Sequence, residues 1–493
     1  VWHNFTTSFL TEINNASYDV SNGQHGDDFH HITHQLHFKG VNSMAIGFDF
    51  GTSNCSVAHI IDKQVHAIPL AQDELYIPST MCAPSREYIS EYIYRCLNIS
   101  PSDTAGENLL RRAININQQD GLEVHSDEVF FGQEALDLYL DDPRHVYYVK
   151  SPKSFLGIIG LKDTQLAFFE DLVCAMMTNI KQKAEAKLAA EITETVIGRP
   201  VNFHGRKGDE SNRQALSILN KAASRAGFKH VEFQFEPVAA GLDYEATLNT
   251  DKNVLIVDIG GGTTDCSMIQ MGPRWHGKFE RNETLLGHTG RRTGGNDLDI
   301  FITFRKFMPE FGFGSQQLSG LPVPIPQFWN CIAINDVEAQ RKFYTVENLR
   351  QIKQLWKNSG HPEKLNRLIH VHQDTLGHSL VREAEKAKIA LAGQESHSAM
   401  LTIGKENLMI PLTPEAITTA IEEPVNKIKR LIEEVLVQSA IKPDVIYITG
   451  GSARSPILRE AIKSVLPNTE IVSGNYFGSV TAGLARWADL CFR

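Results

Sequence analysis

The sequence predicts an α/β protein made of two related lobes that face each other across a ligand cleft. Three observations carry this expectation. A phrase near the start, Ile46-Gly-Phe-Asp-Phe-Gly-Thr-Ser-Asn-Cys-Ser-Val57, returns about two hundred residues later as Leu255-Ile-Val-Asp-Ile-Gly-Gly-Gly-Thr-Thr-Asp-Cys-Ser-Met268. From residue 44 onward, strand-like apolar runs alternate with amphipathic helical runs, the pattern of α/β layers. A strand-like run, Asp444-Val-Ile-Tyr-Ile-Thr449, ends in Gly450-Gly-Ser-Ala-Arg-Ser-Pro456 and then a helical run, an arrangement that can cradle phosphate at a helix N-terminus.

In each copy of the repeated phrase an apolar run ends in an aspartate, passes through glycine and hydroxyl residues, and resumes. That pattern reads as strand, tight turn, strand. Glycines let the backbone approach a ligand closely, and consecutive amides in a turn form an anion-binding nest. Asp49 and Asp258 fall at the strand ends, where a carboxylate can hold a hydrated magnesium ion while the amides hold phosphate oxygens. Two such hairpins facing each other would grip a nucleoside triphosphate from both sides. The plainer alternative is two ordinary β-hairpins with glycine turns, and the matching aspartates weigh against it.

The remaining elements follow in order. Residues 44–70 read as the first hairpin with a further strand, and 75–150 as mixed, with turn clusters at Ser100-Pro-Ser-Asp and Asp141-Asp-Pro. A long helix is expected from about Thr164 to Glu191, then a buried strand over Thr195–Val201. A helix over about Asn212–Ala226 is closed by Gly227 and followed by a strand at Val231–Phe235. Glu236-Pro237 opens the next helix, with proline in the first turn, and Ala239, Ala240 and Gly241 suggest close packing. The second hairpin occupies 253–271, and Gly294-Gly-Asn-Asp-Leu-Asp299 reads as a loop leading into a helix. Residues 310–345, with Gly320-Leu-Pro-Val-Pro-Ile-Pro, read as an irregular insertion. Helices over Leu380–Ala392 and about Pro414–Gln438 frame the strand at 444–449.

Composition narrows the function classes. The 493 residues suffice for two or more domains. A net charge of -10 and a pI near 6.0 argue against a nucleic-acid partner, which calls for a basic face. Seven scattered cysteines, with no CxxC pair, suit a reducing, cytoplasmic setting. No window approaches the roughly 20 apolar residues of a membrane span. The first 43 residues lack any helical or strand period and precede Met44, so Met44 is expected to be the natural start, with residues 1–43 a disordered leader or a non-native upstream translation. A functional metal site at their histidines is not expected.

With both hairpins, Phe235-Glu-Pro-Val-Ala-Ala-Gly-Leu-Asp-Tyr, Gly294-Gly-Asn-Asp-Leu-Asp, Glu385-Lys-Ala-Lys-Ile-Ala-Leu and Gly450-Gly-Ser-Ala-Arg-Ser-Pro in this order, the chain resembles the nucleotide-binding domain of DnaK-type heat-shock chaperones, in the actin-like ATPase superfamily. The resemblance runs from 44 to 493. Val149-Lys-Ser-Pro-Lys-Ser-Phe-Leu-Gly157, Phe169–Met177 and Gly478–Arg486 are also similar to the stand-alone, DnaK-like YegD-type group.

The resemblance implies an actin-like fold with a duplicated ribonuclease-H-like core, a first lobe over 44–235, a second over 236–493 that returns to the cleft at its end, and no client-binding domain. It implies ATP or ADP with Mg2+ as ligands, slow hydrolysis, lobe closure, and an unidentified protein client or co-factor. Thr52, Ser53 and Thr263, with the amides of Gly51, Gly260, Gly261 and Gly262, resemble the phosphate-binding turns. Asp49 and Asp258 stand where magnesium is held through water, and Glu236 with Asp258 where the attacking water is oriented. Two lysines compete for the place near the γ-phosphate. Lys153 is favoured by the run that follows it and Lys150 by the residues before it, and both as solvated surface groups is the alternative. Glu385 and Lys388, on one helical face, stand where ribose and base are contacted, with a mutual solvated ion pair as the alternative. Gly294 and Gly295 belong to the nucleotide loop, and Gly450, Gly451, Ser452 and Arg454 flank the base. Ala392 and Asn296 depart from the serine and the acid usual at their positions, which bears on affinity and exchange.

Two other function classes remain in view. One is a small-molecule kinase of the sugar-kinase type, and the other a non-enzymatic nucleotide-gated scaffold or filament protein. Since the leader offers no apolar face to offset the entropy of ordering, deleting residues 1–43 should leave the melting temperature and any ATPase rate unchanged. A loss of either would show that the leader packs on a lobe.

Overall fold

A computed structural model of the chain describes residues 44–203, 208–278, 281–476 and 478–492. The leader expectation lies outside the described residues. Within them the expected α/β class is borne out, and the repeated phrase marks a repeated architecture.

Strands β1 (Met44–Phe50) and β2 (Asn54–Ile61) form the first antiparallel hairpin, which β3 (Gln64–Ala67) extends. The short β4 (Ile77–Pro78) also pairs with β2. A small sheet of β5 (Thr80–Ala83), β6 (Phe130–Phe131) and β7 (Tyr147–Lys150) follows, in the order β6-β5-β7. Then β8 (Ile192–Arg199) joins β1 in parallel and β9 (His230–Phe235) joins β8, so the first large sheet runs β3-β2-β1-β8-β9. The second repeats the plan. Its hairpin of β10 (Lys252–Ile259) and β11 (Thr264–Met271) is extended by β12 (Leu285–Arg291). After a separate hairpin of β13 (His397–Ile403) and β14 (Glu406–Leu412), the parallel strands β15 (Val445–Thr449) and β16 (Glu470–Ser473) complete the order β12-β11-β10-β15-β16. The strands β10 and β15, which pair in parallel within this mixed sheet, are buried almost throughout, as expected of strands covered on both faces.

Several expectations needed correction. β8 starts at Ile192 and stops at Arg199, because Pro200 has no N–H to continue a ladder. The helix expected over 414–438 is two, Pro414–Ala420 and Glu422–Ser439; Pro424 cannot donate to the carbonyl four residues before it. The expected loop at 294–299 is already helix from Gly295 to Ile302, started by the Asp297 carboxylate accepting from the Gly294 amide at 2.9 Å. The segment 310–345 is not simply irregular. It contains helices Pro326–Trp329 and Val337–Phe343 and contributes Phe328, Cys331, Ile332 and Phe343 to the hydrophobic core that also holds residues of β10 and β15. Among the described residues no helix is long and apolar enough to cross a membrane.

The joint between the large sheets is built from small residues. Helix Ser479–Cys491, at the end of the chain, packs on β1, β2 and β8 and also on helix Glu236–Glu245. Ala239, Ala240, Leu484 and Ala488 share a buried cluster with Val196 of β8 and Val254 and Ile256 of β10. The approach is so close that a Cβ on Gly483 would overlap the Ala239 carbonyl oxygen, and one on Gly47 would overlap the Ala485 amide. Gly483→Val should therefore destabilise the protein by about 3 kcal/mol, as overpacking with no room to relax does. Gly393→Ala, with nothing within 4 Å of the new methyl, should change stability by only a few tenths. Denaturant melts of both variants check the contrast.

Candidate functional site

The two repeated hairpins place their turns against each other. In the first, Asp49 and Phe50 pair with Ser56 and Cys55, leaving Gly51, Thr52 and Ser53 as the turn. Ser79 braces it, its hydroxyl donating to the Gly51 carbonyl at 2.7 Å and its amide to the Ser53 carbonyl at 2.9 Å. In the second, Ile259 pairs with Thr264, and the turn Gly260–Thr263 is closed by the Gly260 amide on the Thr263 carbonyl at 3.0 Å. A Cβ on Gly262 would lie 2.6 Å from Thr52 Cγ2, and one on Gly261 would overlap Ser53 Oγ. Glycine is thus required here for closeness between turns. Among the described residues the amides of Thr52, Ser53, Gly261 and Gly262 have no acceptor, and clustered free amides of this kind form an anion nest.

The second turn is held from behind by the other predicted loops. The amides of Gly295 and Asn296 donate to the Gly260 and Gly261 carbonyls at 2.9 and 2.7 Å, and Ser452 Oγ donates to the Gly260 carbonyl at 3.1 Å. Gly450 sits at φ +86 with its Cα against Asp258, where a Cβ would fall 2.6 Å from Oδ1. Gly294, Gly295, Gly450, Gly451 and Ser452 therefore gather at the second turn, and the Gly295 amide shapes it rather than pointing at a ligand. Arg454 ends the short 3-10 turn Gly451–Arg454 with its side chain exposed.

Charge is concentrated at the base of the hairpins. Lys153 Nζ donates to Glu236 Oε1 at 2.6 Å and to the Gly198 carbonyl at 2.9 Å, and this ion pair is nearly sealed from water. Asp49, Asp258 and Asp265 surround it. Burial, then the Glu236 carboxylate, push Asp49 up to about 7 against the pull of Lys153. The same two causes hold Asp258 well above the carboxylate range, with Asp265 and Asp49 adding to them. Asp265 also rises to about 7, from burial and Glu236, although the Val201 amide donates to its Oδ1 at 2.9 Å.

Asp265 was not singled out in the sequence. It lies directly across the ladder from Asp258, a like-charge cross-strand pair that is destabilising on its own. The signal was present: the second phrase ends Gly-Thr-Thr-Asp where the first has Ser56 at the paired position. Arg292, which lines a small cavity with Thr52, Lys153, Gly262 and Thr263, gave no such signal.

Four carboxylates around one ammonium leave an excess of negative charge that a divalent cation would offset. Among the described residues no group of three side chains is arranged to hold a metal ion directly.

The two competing lysines stand in different surroundings. Lys153 reaches Glu236 at 2.6 Å, whereas Lys150 lies among Glu385, Asp299, Arg382 and Lys388, and burial there lowers its pKa despite the two carboxylates. Glu385 and Lys388 do not pair with each other. Glu385 accepts from Arg382 at 2.8 Å, and Lys388 binds Asp299 at 2.7 Å and reaches the Gly295 carbonyl at 3.4 Å. Burial would raise Glu385, but Lys150, Arg382 and Lys388 together hold it below its usual value.

Residues 159–314 match the family model described as Hsp70 protein. A chaperone protein HscA homolog of Rickettsia africae is 26% identical over 275 residues, covering 55% of this chain and 38% of that protein. The homolog of Rickettsia conorii gives the same figures. That of Acinetobacter baumannii is 31% identical over 198 residues, covering 35% of this chain and 29% of its own length. The chain thus aligns with less than two fifths of the length of these relatives.

A pH dependence follows from Asp49 and Asp265. Their folded values near 7 lie above the unfolded value of about 3.9. The stability each contributes is full below that unfolded value and is lost as pH rises through 7. Without divalent cation, the protein should melt higher at pH 6 than at pH 8, and Asp265→Asn should reduce the difference. A melting temperature that rises with pH over this range would contradict the crowding described here.

Proposed function

This chain carries an Hsp70-type nucleotide-binding domain of the actin-like ATPase superfamily, and from that premise we propose that it binds Mg-ATP between the two hairpin turns and hydrolyses it slowly, as a chaperone-type ATPase. The observation that carries this reading is the meeting of two like hairpins, with acceptor-free amides at their turns and the Lys153–Glu236 pair set among aspartates beneath them.

Phosphoryl transfer asks a protein mainly to position groups and to stabilise spread charge. The amides of Thr52, Ser53, Gly261 and Gly262 would hold phosphate oxygens from both sides, with the Thr52, Ser53 and Thr263 hydroxyls as further donors. Because the turns already touch, phosphates would have to part them, so nucleotide occupancy and the angle between lobes are coupled. Lys153, kept in place by Glu236 and the Gly198 carbonyl, would meet the charge on the terminal phosphate. Glu236 and Asp258 would orient the attacking water. Asp265, near 7, matches the working pH of a base that takes its proton. Asp49 and Asp258 would hold hydrated Mg2+, which when bound neutralises phosphate charge.

At the other end, Glu385 and Lys388 would face the ribose, and Gly450, Gly451, Ser452 and Arg454 the base. An unidentified protein client or co-factor would receive the resulting lobe motion. The exposed Leu318, Leu321 and Ile325 within 310–345 are where such a partner would dock. A cytoplasmic location accords with the seven free cysteines.

Nucleotide at about a hundred times its dissociation constant should stabilise the protein by about 2.7 kcal/mol, seen as a higher melting temperature with Mg-ATP or Mg-ADP. Asp49→Asn should weaken the magnesium-dependent part of that shift. Lys153→Ala, Glu236→Ala and Asp265→Asn should keep nucleotide binding but slow single-turnover hydrolysis at least tenfold, a loss of about 1.4 kcal/mol in transition-state stabilisation. No shift with millimolar nucleotide would overturn the reading.

A further inference from the structure

Away from the phosphate turns, the two lobes also meet through three aromatic rings. Tyr139, on helix Gln133–Asp141, stacks on Tyr148 of β7 with centroids 4.2 Å apart and planes at 12°. Both belong to the region of the small sheet, on the first lobe. His378, in the first turn of helix Gly377–Ala390 on the second lobe, stands edge-on to both rings, at 5.4 Å from Tyr139 and 5.6 Å from Tyr148. The contact continues beside the rings, where Tyr139 Oη donates to the Thr375 carbonyl at 3.4 Å and Arg144 lies 3.9 Å from Asp374.

Periodicity ties this contact to the nucleotide site. Tyr148 and Lys150 share one face of β7 because strand side chains alternate. His378, Arg382 and Glu385 share one face of their helix at spacings of four and three. The same strand face and helix face therefore run from the three rings to Lys150 and Glu385, at the place proposed for the ribose.

Resting on the nucleotide-binding reading above, we propose that Tyr139, Tyr148 and His378 form a clasp between the lobes over the sugar end of the cleft, and that protonation of His378 opens it and speeds nucleotide release. The charged groups around the ring set the direction. Tyr139 of its own helix and Tyr148 and Lys150 of β7 face His378 from the first lobe. Tyr344 lies against Gly377 beside it, and Arg382 and Glu385 follow on its own helix. Glu385 is already paired with Arg382, and Asp374, one turn before the ring, with His370 and Arg144, so neither of these carboxylates is free to stabilise an imidazolium. Burial, then the Lys150 ammonium, push the imidazole down to about 3. A ring face does attract a cation, but here the loss of water and the lysine outweigh it.

In an opened clasp the imidazole regains its ordinary value of about 6.5. Closure is then complete above about 6.5 and weakens as pH falls toward 3, by up to tenfold in the closed-to-open ratio for each pH unit.

The test is the release rate of a fluorescent N-methylanthraniloyl-ADP from the full chain with Mg2+, by stopped flow at pH 7.5 and 5.5. Wild type should release up to about tenfold faster at pH 5.5. His378→Phe keeps an aromatic ring and cannot protonate, so it should lose most of that acceleration; the carboxylates near Lys153 titrate in both proteins and cancel in the comparison. His378→Ala should release fast at both pH values. Equal acceleration in wild type and His378→Phe would overturn the clasp while leaving the nucleotide reading intact, and the Phe variant decides the matter even where the Ala variant fails to fold. Failure of the wild type to bind the analogue at all would instead remove the nucleotide reading, and the clasp's role with it.

Discussion

The crossing of helix Glu236–Glu245 by helix Ser479–Cys491 is the constraint on which the arrangement rests. Where Gly483 meets the Ala239 carbonyl, no side chain separates the two backbones, so the chain's last helix is locked to the segment that leaves the first sheet. Leu484 on that last helix also crowds Gly198, where a Cβ would lie 3.1 Å from its Cδ1 and 3.2 Å from Glu236 Cγ. Glu236 is thereby fixed at the mouth of β8, beside the Gly198 carbonyl that also takes a hydrogen bond from Lys153. A packing contact between small residues, remote in sequence from both hairpins, decides where the ion pair stands.

Set on that frame, the site is electrostatically unfavourable by itself. Asp258 and Asp265 face each other across a ladder, Asp49 comes in from the other hairpin, and one lysine serves them all. Groups arranged for stability alone would not leave three carboxyls displaced upward by burial and by one another. The strain makes sense if a cation and a polyanion complete the balance, because magnesium answers the carboxylates and the free amides answer the phosphates. The same logic separates this centre from the Glu385 region. There the cations Arg382, Lys388 and Lys150 outnumber the carboxylates Glu385 and Asp299, and Glu385 is pulled down, although burial still pushes Asp299 up to about 6 against the pull of Lys388.

Much of this was legible in the sequence because its signals are local. A hairpin turn must show its glycines, and a strand-end aspartate must show its place in the phrase, so Asp49, Asp258 and both turns could be found by reading. Helices with proline in the first turn or glycine past the last announced themselves likewise. The elements that escaped were those whose logic is tertiary. The hairpin β13–β14 alternates buried and exposed residues over only seven positions, and the 310–345 segment looks irregular until Phe328 and Phe343 are seen in the core of the second lobe. Asp265 escaped for another reason: one aspartate in a phrase had already been given the carboxylate's role, and only the register shows a second directly opposite.

The two lysines show most clearly why sequence spacing alone could not decide. Lys150 and Lys153 are three residues apart, and on a continuous strand they would point to opposite faces while on a helix they would share one. The chain does neither. Lys150 is the last residue of β7, Ser151 turns through a left-handed φ of 58, and Pro152 starts a 3-10 turn that carries Lys153. A left-handed conformation costs a residue with a side chain about 1–2 kcal/mol, and the fold tolerates it because the Ser151 amide is tied to the Ser79 carbonyl at 2.8 Å, the same serine that braces the first phosphate turn. The bend sends one ammonium to Glu236 and the aspartates at the base of the two hairpins and the other to Glu385 and Asp299. This one short, strained segment therefore parts two lysines that stand only three residues apart in the sequence.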